Sequence, residues 1–191
     1  MAGQIEESLP ARHSSWGEAL RAPFDALAAG DPAALEAVWE IAARRLYGLA
    51  LWRTGSEEDA RDVVQEVFVR LASRRRELRG IAEPGVWLLA VAHNAAIDSV
   101  RRRVRHRTEP IESASHLAAP GSDPERAAVA SAASLALSRL PHAQREAVLL
   151  HHVAGCSFRE IGTITGVPAF TAASRCRLAL ARLRLLLGEP R

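Results

Sequence analysis

The sequence predicts an all-α protein. Strong helix formers, above all alanine, leucine and arginine, recur throughout, while aromatic residues make up only 5% of the chain. Apolar residues follow helical spacing of three and four, and Gly, Pro, Ser and Asp interrupt that pattern where helices should begin or end. The 48% hydrophobic content of 191 residues is enough for packed cores. We expect two small helical domains joined by a flexible linker.

Two helices open the first domain. The first is predicted from Trp16 to Ala29 and ends at Gly30, after which Asp31 and Pro32 supply an N-cap and a first-turn residue. The second ends at Gly55. Its apolar positions have helical spacing and are Leu35, Val38, Trp39, Ala42, Leu46 and Leu49.

Two further helices complete this domain. Ser56 begins one of them, with Asp59 three residues later as a variant capping box. Its predicted inner face is Val63, Val64, Val67, Phe68 and Leu71. Arg74 to Gly80 reads as an exposed basic connector, and Glu83-Pro84-Gly85 starts a helix that continues into an arginine-rich stretch. Trp87 lies in the apolar stripe of that helix, which favours core packing over base stacking.

A linker is predicted over residues 108–124, where Pro110, Pro120, Gly121 and Pro124 lie among small polar residues. We therefore expect a flexible N-terminus over 1–15, a first domain over 16–107 and a second domain over 125–191. The second domain begins with an alanine-rich helix to about Ser138.

The rest of the second domain predicts a helix-turn-helix. Pro141 opens one helix that Gly155 closes, and Ser157 with Glu160 forms a capping box for a short helix. Gly166-Val167-Pro168 then breaks the pattern, and a long basic helix runs to about Leu187. A short helix, a glycine turn and a longer basic helix make this motif. Gly162 should let its two helices approach closely.

The charge and composition suit nucleic-acid binding inside the cell. The net charge is +3, and all 25 basic residues are arginine, whose planar fork matches phosphates and base edges. The two cysteines lack CxxC spacing, and the N-terminus lacks the basic start and apolar stretch of a signal peptide. No apolar run approaches membrane-spanning length. These features predict a cytoplasmic protein.

Catalytic and metal sites are not predicted. His151, His152 and Cys156 contain possible zinc ligands, but adjacent histidines point about 100° apart on a helix and no fourth ligand is evident. A surface histidine pair and a buried cysteine are the alternative that we favour. No phosphate loop, activated nucleophile or carboxylate pair can be assembled. We expect no cofactor, no small-molecule substrate and no enzymatic activity.

Two blocks of sequence resemble one family. Leu140 to Leu187, with its Leu140-Pro141 opening, REAVLLHHVAGCSFREIG and Ser174-Arg175, is similar to region 4 of extracytoplasmic-function sigma factors of RNA polymerase. DVVQEVFVRL, from Asp62 to Leu71, resembles their region 2.2, and WLLAVAHNAAIDSVRRR, from Trp87 to Arg103, resembles regions 2.3 and 2.4. The resemblance implies an alternative sigma factor whose partners are core polymerase, promoter DNA and an anti-sigma factor.

The resemblance also implies three sets of site residues. The surface for the clamp coiled coil of the polymerase would comprise Asp62, Gln65, Glu66 and Arg70. The −10 element would be captured by Arg74, Arg75, Arg76, Arg79, His93, Asn94, Asp98, Arg101, Arg102 and Arg103, because unpaired bases need positive charge and polar groups. The −35 element would be read by Phe170, Thr171, Ala173, Ser174, Arg175 and Arg177 at the start of the recognition helix.

The recognition helix departs from the family pattern. Family members commonly have a small residue, Gly, Thr, Val, Lys, Ser and Arg after the proline, whereas this chain has Ala169-Phe170-Thr171-Ala172-Ala173-Ser174-Arg175. Ala173 cannot make the phosphate or base contact expected at its position. Arg175 and Arg177 should therefore make more of the contact with the −35 element. Thr165 also replaces a usual apolar residue under the turn.

Two alternatives stay open at this stage. One is a transcription regulator that uses the helix-turn-helix alone, with the N-terminal bundle as a sensor or dimerisation module. The other is a decoy that binds the polymerase or an anti-sigma factor without reading DNA.

Overall fold

A computed structural model of the chain describes residues 15–106 and 132–188. Within these ranges every regular element is helical, in agreement with the predicted all-α class. The first domain contains α1 (Ser15–Ala19), α2 (Arg21–Ala29), α3 (Ala34–Thr54), α4 (Glu57–Ser73) and α5 (Pro84–His106). The predicted flexible N-terminus and the linker over 108–124 lie outside the described residues.

Helix α4 follows the sequence signals closely. Ser56 adopts an extended backbone and its Oγ accepts a hydrogen bond from the Asp59 N–H at 3.3 Å, which confirms the predicted cap. The predicted inner face is buried, and it packs mainly against α3 and α5. These three helices hold the core of the first domain.

The connector between α4 and α5 is exposed as predicted, apart from Leu78, and contains a short helical turn. Residues Arg75–Leu78 form a 3₁₀ turn that buries Leu78, and the Arg79 Nε–H donates to the Ala28 carbonyl at 3.4 Å. The turn packs mainly on α2 and α4. Burial of Leu78 and the Arg79 hydrogen bond therefore hold the connector against the rest of the first domain.

The first predicted helix is divided into α1 and α2. Pro23, at the third position of α2, has no N–H with which to continue the hydrogen-bond ladder back to the preceding turn. Leu20 lies at the junction and is fully buried. The prediction of a continuous helix was wrong for this reason.

The second domain contains α6 (132–138 in its described part), α7 (His142–Val148), α8 (Phe158–Thr165) and α9 (Ala169–Leu187). Helix α7 continues into one π-helical turn, Leu149–Val153, which was not predicted. Among the described helices, none is both long and apolar enough to cross a membrane.

The two domains are in contact. Leu150, Cys156, Ile161, Ile164 and Ala172 of the second domain belong to the same continuous cluster of buried residues as the core of the first. The main helix pair across this boundary is α5 with α8. The helix-turn-helix therefore lies against the helix that carries much of the predicted −10 surface.

Candidate nucleic-acid interface and polymerase-binding surface

The predicted polymerase-binding residues lie on the outer side of α4. Asp62, Gln65 and Arg70 are exposed, while Glu66 is half-buried. The Glu66 carboxylate lies 3.0 Å from the Arg70 guanidinium one turn away and 4.0 Å from that of Arg102 on α5. This surface carries both positive and negative side chains. Such a mixture suits specific ion pairs that fix the orientation of a bound protein, rather than general attraction to a partner of one charge.

An apolar groove that the sequence did not predict adjoins this surface. It has a volume of about 790 Å³ between α3 and α4, and its lining includes Leu35, Trp39, Tyr47, Phe68 and Val69. Trp39 stacks at a tilt on Phe68, with ring centroids 4.7 Å apart, yet it remains 45% exposed. The helical spacing of Trp39 indicated an inner position, and only the packing of α4 shows that it lies at the edge of the core.

The predicted −10 residues that are exposed fall into two groups. Arg74, Arg75, Arg76 and Arg79 are exposed on the connector, which packs on α2 and α4. Asn94, Asp98, Arg101 and Arg102 are exposed on α5, where Asp98 and Arg101 lie 3.7 Å apart. The connector and α5 therefore carry separate basic surfaces.

Two predicted −10 residues are engaged inside the protein. The Arg103 guanidinium lies 2.5 Å from Asp59 Oδ2 and also donates to the Thr54 carbonyl, so it ties α5 to the start of α4. His93 is only 3% exposed, and its Nε2 lies 2.7 Å from the Glu146 carboxylate of α7. In this arrangement neither side chain is free to contact DNA. No local pattern in the sequence predicts either long-range partner.

The Glu146 contact is electrostatically unusual because the carboxylate is buried. Burial alone would raise its pKa, but the hydrogen bond and charge of His93, and then the charge of Arg53, hold the pKa of Glu146 below its ordinary value. Burial lowers the pKa of His142, and the nearby Arg53 lowers it further.

Trp87 of α5 packs edge-on against Phe24 with ring centroids 5.9 Å apart, as the apolar stripe predicted.

The helix-turn-helix has the capping box and the glycine turn that the sequence predicts. The Ser157 Oγ accepts from the Glu160 N–H at 3.3 Å, and the Glu160 carboxylate accepts from the Ser157 N–H, which completes the capping box. Gly166 has φ 72°, a conformation that favours glycine, and its N–H donates to the Gly162 carbonyl at 2.9 Å. The Thr165 hydroxyl donates to the Ile161 carbonyl at 2.7 Å, so the atypical threonine satisfies its polar group locally.

The recognition helix α9 presents its predicted −35 residues unevenly. Phe170 is 76% exposed and Arg177 is exposed, whereas Thr171, Ala173, Ser174 and Arg175 are half-buried. Ala172, Cys176 and Ala179 form the buried side. Because residues at i, i+4 and i+7 share a helix face, Phe170, Ser174 and Arg177 form the outward row.

The histidines and cysteines take part in packing contacts. His151 Nδ1 lies 2.7 Å from the Cys156 carbonyl oxygen and its ring stacks on Phe158 at 4.5 Å, while His152 Nε2 lies 4.0 Å from the Cys176 sulfur. Burial, followed by the charge of Glu160, raises the pKa of the Cys156 thiol to about 12. No group of three metal-ligating side chains occurs within residues 15–106 and 132–188.

Both domains match models of known protein families. The family model for sigma-70 region 2 matches residues 39–106, and that for sigma-70 region 4 matches residues 131–183. The ECF RNA polymerase sigma factor SigM of Mycobacterium tuberculosis is 34% identical over 160 residues, which cover 84% of this chain and 80% of SigM. The RNA polymerase sigma factor CarQ of Myxococcus xanthus is 35% identical over 137 residues, covering 68% of this chain and 75% of CarQ.

Solved structures share the fold. CnrH, in complex with the cytosolic domain of CnrY, aligns with a TM-score of 0.67 at 21% identity and covers 91% of this chain and 99% of its own. The sigma factor RpoE of Bartonella quintana, in complex with the anti-sigma factor NepR, aligns with a TM-score of 0.67 at 24% identity over 80% of this chain and 96% of its own. With both sigma-70 regions matched in order, the chain belongs to the extracytoplasmic-function sigma factors of the sigma-70 family and is an alternative sigma factor.

Proposed function

We propose that this sigma factor binds core RNA polymerase through α4 and directs initiation at promoters whose −10 and −35 elements it recognises with α5, the connector and α9. It would act in the cytoplasm, without catalysing a reaction or needing a cofactor. The similar solved structures are complexes with the cytosolic domain of CnrY and with the anti-sigma factor NepR. We therefore also propose that an anti-sigma factor regulates this chain.

The composition of the α4 surface is the observation that carries the polymerase assignment. Asp62, Gln65 and Arg70 face outward beside the apolar groove that contains Trp39 and Val69. Polar groups that set register around an apolar centre are the usual anatomy of a specific protein interface. A solvated helix face would not need a 45% exposed tryptophan next to it.

The promoter assignment rests on exposed positive charge on α5 and α9, the two helices proposed to contact DNA. Arg101 and Arg102 are exposed on α5, together with Asn94. On α9 the exposed Phe170 and Arg177 could meet a thymine methyl group and a base edge or phosphate, respectively. Capture of unpaired bases would offset the few kcal/mol that unstacking costs.

A pull-down with core polymerase tests the α4 surface. The double charge reversal Asp62→Arg/Glu66→Arg should weaken assembly strongly, because it opposes the register-setting contacts. The matched control is Glu18→Arg/Asp25→Arg, which makes the same charge change at exposed positions on α1 and α2. Equal binding by both double variants would contradict the assignment, provided that circular dichroism shows both folded.

Run-off transcription separates this function from the two alternatives. After transcript starts have been mapped in cells that overproduce the chain, purified core enzyme with the chain should initiate at those sites. A helix-turn-helix regulator would bind the promoter duplex without core enzyme. It would not support initiation when added to core enzyme as the only other protein. A decoy would bind core enzyme and give no promoter-dependent transcript.

A further inference from the structure

The two domains meet at a cluster of charged and polar side chains that the functional assignment does not use. Glu146 of α7 is only 6% exposed, and its carboxylate accepts a hydrogen bond from His93 Nε2 of α5 at 2.7 Å. The Arg53 guanidinium, from α3, lies 3.4 Å from the same carboxylate oxygen. The second domain thus supplies a buried negative charge to two partners in the first.

A second contact extends this cluster along α7. The Arg53 guanidinium lies 3.1 Å from Nδ1 of His142, and the His142 ring lies 5.7 Å from the Trp52 ring. Because a guanidinium can only donate, Nδ1 must accept, and His142 is therefore neutral in this contact. The pairing specifies how α7 must lie against α3 and α5.

The surrounding contact is apolar. Leu150, Ile161 and Ile164 of the second domain continue the buried core of the first. The apolar groups supply most of the favourable burial, whereas the charged groups supply orientation and penalise mispairing. A buried carboxylate that lost its partners while the domains stayed in contact would be costly, so charge pairing and domain contact should be coupled.

The cluster also covers one α5 residue, His93, that was predicted to meet the −10 element. His93 is held by Glu146, and α8 of the helix-turn-helix packs against α5. Exposed Asn94 is the next residue along the same helix. DNA bound on this part of α5 would have to displace the second domain.

We propose that the Glu146–His93–Arg53 contact is an autoinhibitory lock: the partner that fits the α5 face around His93 is the second domain of the same chain. The free protein then favours a closed form in which its own helix-turn-helix domain competes with the −10 element. The inhibitory role rests on the proposed promoter-binding function of α5. The domain contact itself can be tested without that function.

Charge reversal with a charge swap tests the lock. Glu146→Arg places two cations together and adds two positive charges, whereas Arg53→Glu places two anions together and removes two. Both single variants should shift the ratio of closed to open molecules by at least tenfold, although they change net charge in opposite directions. The double variant Arg53→Glu/Glu146→Arg restores opposite charges at the original net charge, so it should close again. Glu146→Gln is a milder variant that should open the chain partly.

Small-angle X-ray scattering of the free full-length chain gives the first readout. The radius of gyration should increase in both single variants and return toward the original value in the double variant, with circular dichroism verifying the helices. Single variants as compact as the original chain, or a double variant as expanded as the singles, would overturn the lock. A variant that loses its helices is replaced by Glu146→Gln, to which the same criterion applies.

A binding measurement gives the second readout. The probe is a single-stranded oligonucleotide that carries the −10 element of the mapped promoter. Both single variants, as free chains, should bind it at least fivefold more tightly than the original chain, and the double variant should not. Expanded variants without tighter binding would overturn the inhibitory role if the holoenzyme binds the oligonucleotide. Failure of the holoenzyme itself to bind it would instead contradict the proposed promoter function.

Discussion

Replacing Gly162 by alanine should damage the helix-turn-helix in a way that the same substitution elsewhere does not. A Cβ at position 162 would lie 2.6 Å from the Val167 carbonyl oxygen and 3.4 Å from the Ala169 nitrogen. The first distance is far shorter than an ordinary contact, and the atom it meets belongs to the turn backbone. Gly162 also accepts hydrogen bonds from the N–H groups of Gly166 and Val167, at 2.9 and 3.1 Å.

The magnitude follows from two opposing effects. Overpacking against a rigid neighbour costs about 1–3 kcal/mol and occasionally more. Alanine gains about 1 kcal/mol over glycine inside a helix. Since a backbone oxygen cannot rotate aside like a side chain, we expect the cost to prevail. The free energy of unfolding should fall by up to about 2 kcal/mol, and binding of the holoenzyme to promoters that depend on the −35 element should weaken.

Gly48→Ala is the matched control. Gly48 lies inside α3, and beyond its own helix turn the added Cβ would meet no atom within 4 Å, so the substitution should stabilise the first domain by about 0.4–1 kcal/mol. Urea unfolding followed by circular dichroism measures both variants. Opposite signs are expected for the same chemical change. A Gly162→Ala variant as stable as the original chain would refute the close approach of α8 to the turn.

Three further predictions concern buried contacts. Arg103→Ala should lower the free energy of unfolding by about 1–3 kcal/mol, because it removes the donor to Asp59 Oδ2 and to the Thr54 carbonyl, whereas exposed Arg105→Ala should change little in the same urea titration. Cys156, whose pKa burial raises to about 12, should resist iodoacetamide at pH 8 until urea is added, as peptide mass spectrometry can show; rapid labelling of the folded chain would contradict its burial. Burial is the main cause that lowers the pKa of His142 below 6.5 when the domains are in contact. His142 therefore binds a proton more readily when the domains are separated. The stability that neutral His142 gives to the domain contact should be complete above pH 6.5 and decrease as the pH falls below it. The groups that face this histidine are Arg53, Glu146, Arg145 and His93. A larger difference in radius of gyration between pH 7.5 and pH 5.5 in the original chain than in His142→Gln would support this, and identical differences would contradict it.

Local signals predicted most of the helices because they depend on residues close together in the chain. Ser56 and Ser157 mark helix starts because a side-chain oxygen can accept a backbone N–H three residues later. Gly166 marks the turn because it adopts positive φ without strain. The break before α2 also has a local cause in Pro23, but the apolar spacing continues across it and does not reveal the break.

The candidate site was predicted less completely, because side-chain availability depends on distant partners. The α4 residues Asp62, Gln65 and Arg70 are exposed, as their polar spacing indicates. His93 and Arg103 lie in equally polar surroundings in the sequence, yet both are engaged with other helices. A sequence pattern does not distinguish an arginine that awaits DNA from one that binds a carboxylate 44 residues away.

The sequence by itself determined the helical class and the helix-turn-helix, because periodicity, caps and turn residues act over a few positions. The order of the two sigma-factor regions came from the resemblance of whole sequence blocks to one family. Only the tertiary structure decided that Trp39 borders an open groove and that Glu146 meets His93, 53 residues away along the chain. The physical reason is that burial and charge pairing depend on which helix faces which. His93, which the sequence predicts as a −10 contact, is 3% exposed because Glu146 of the second domain lies against it.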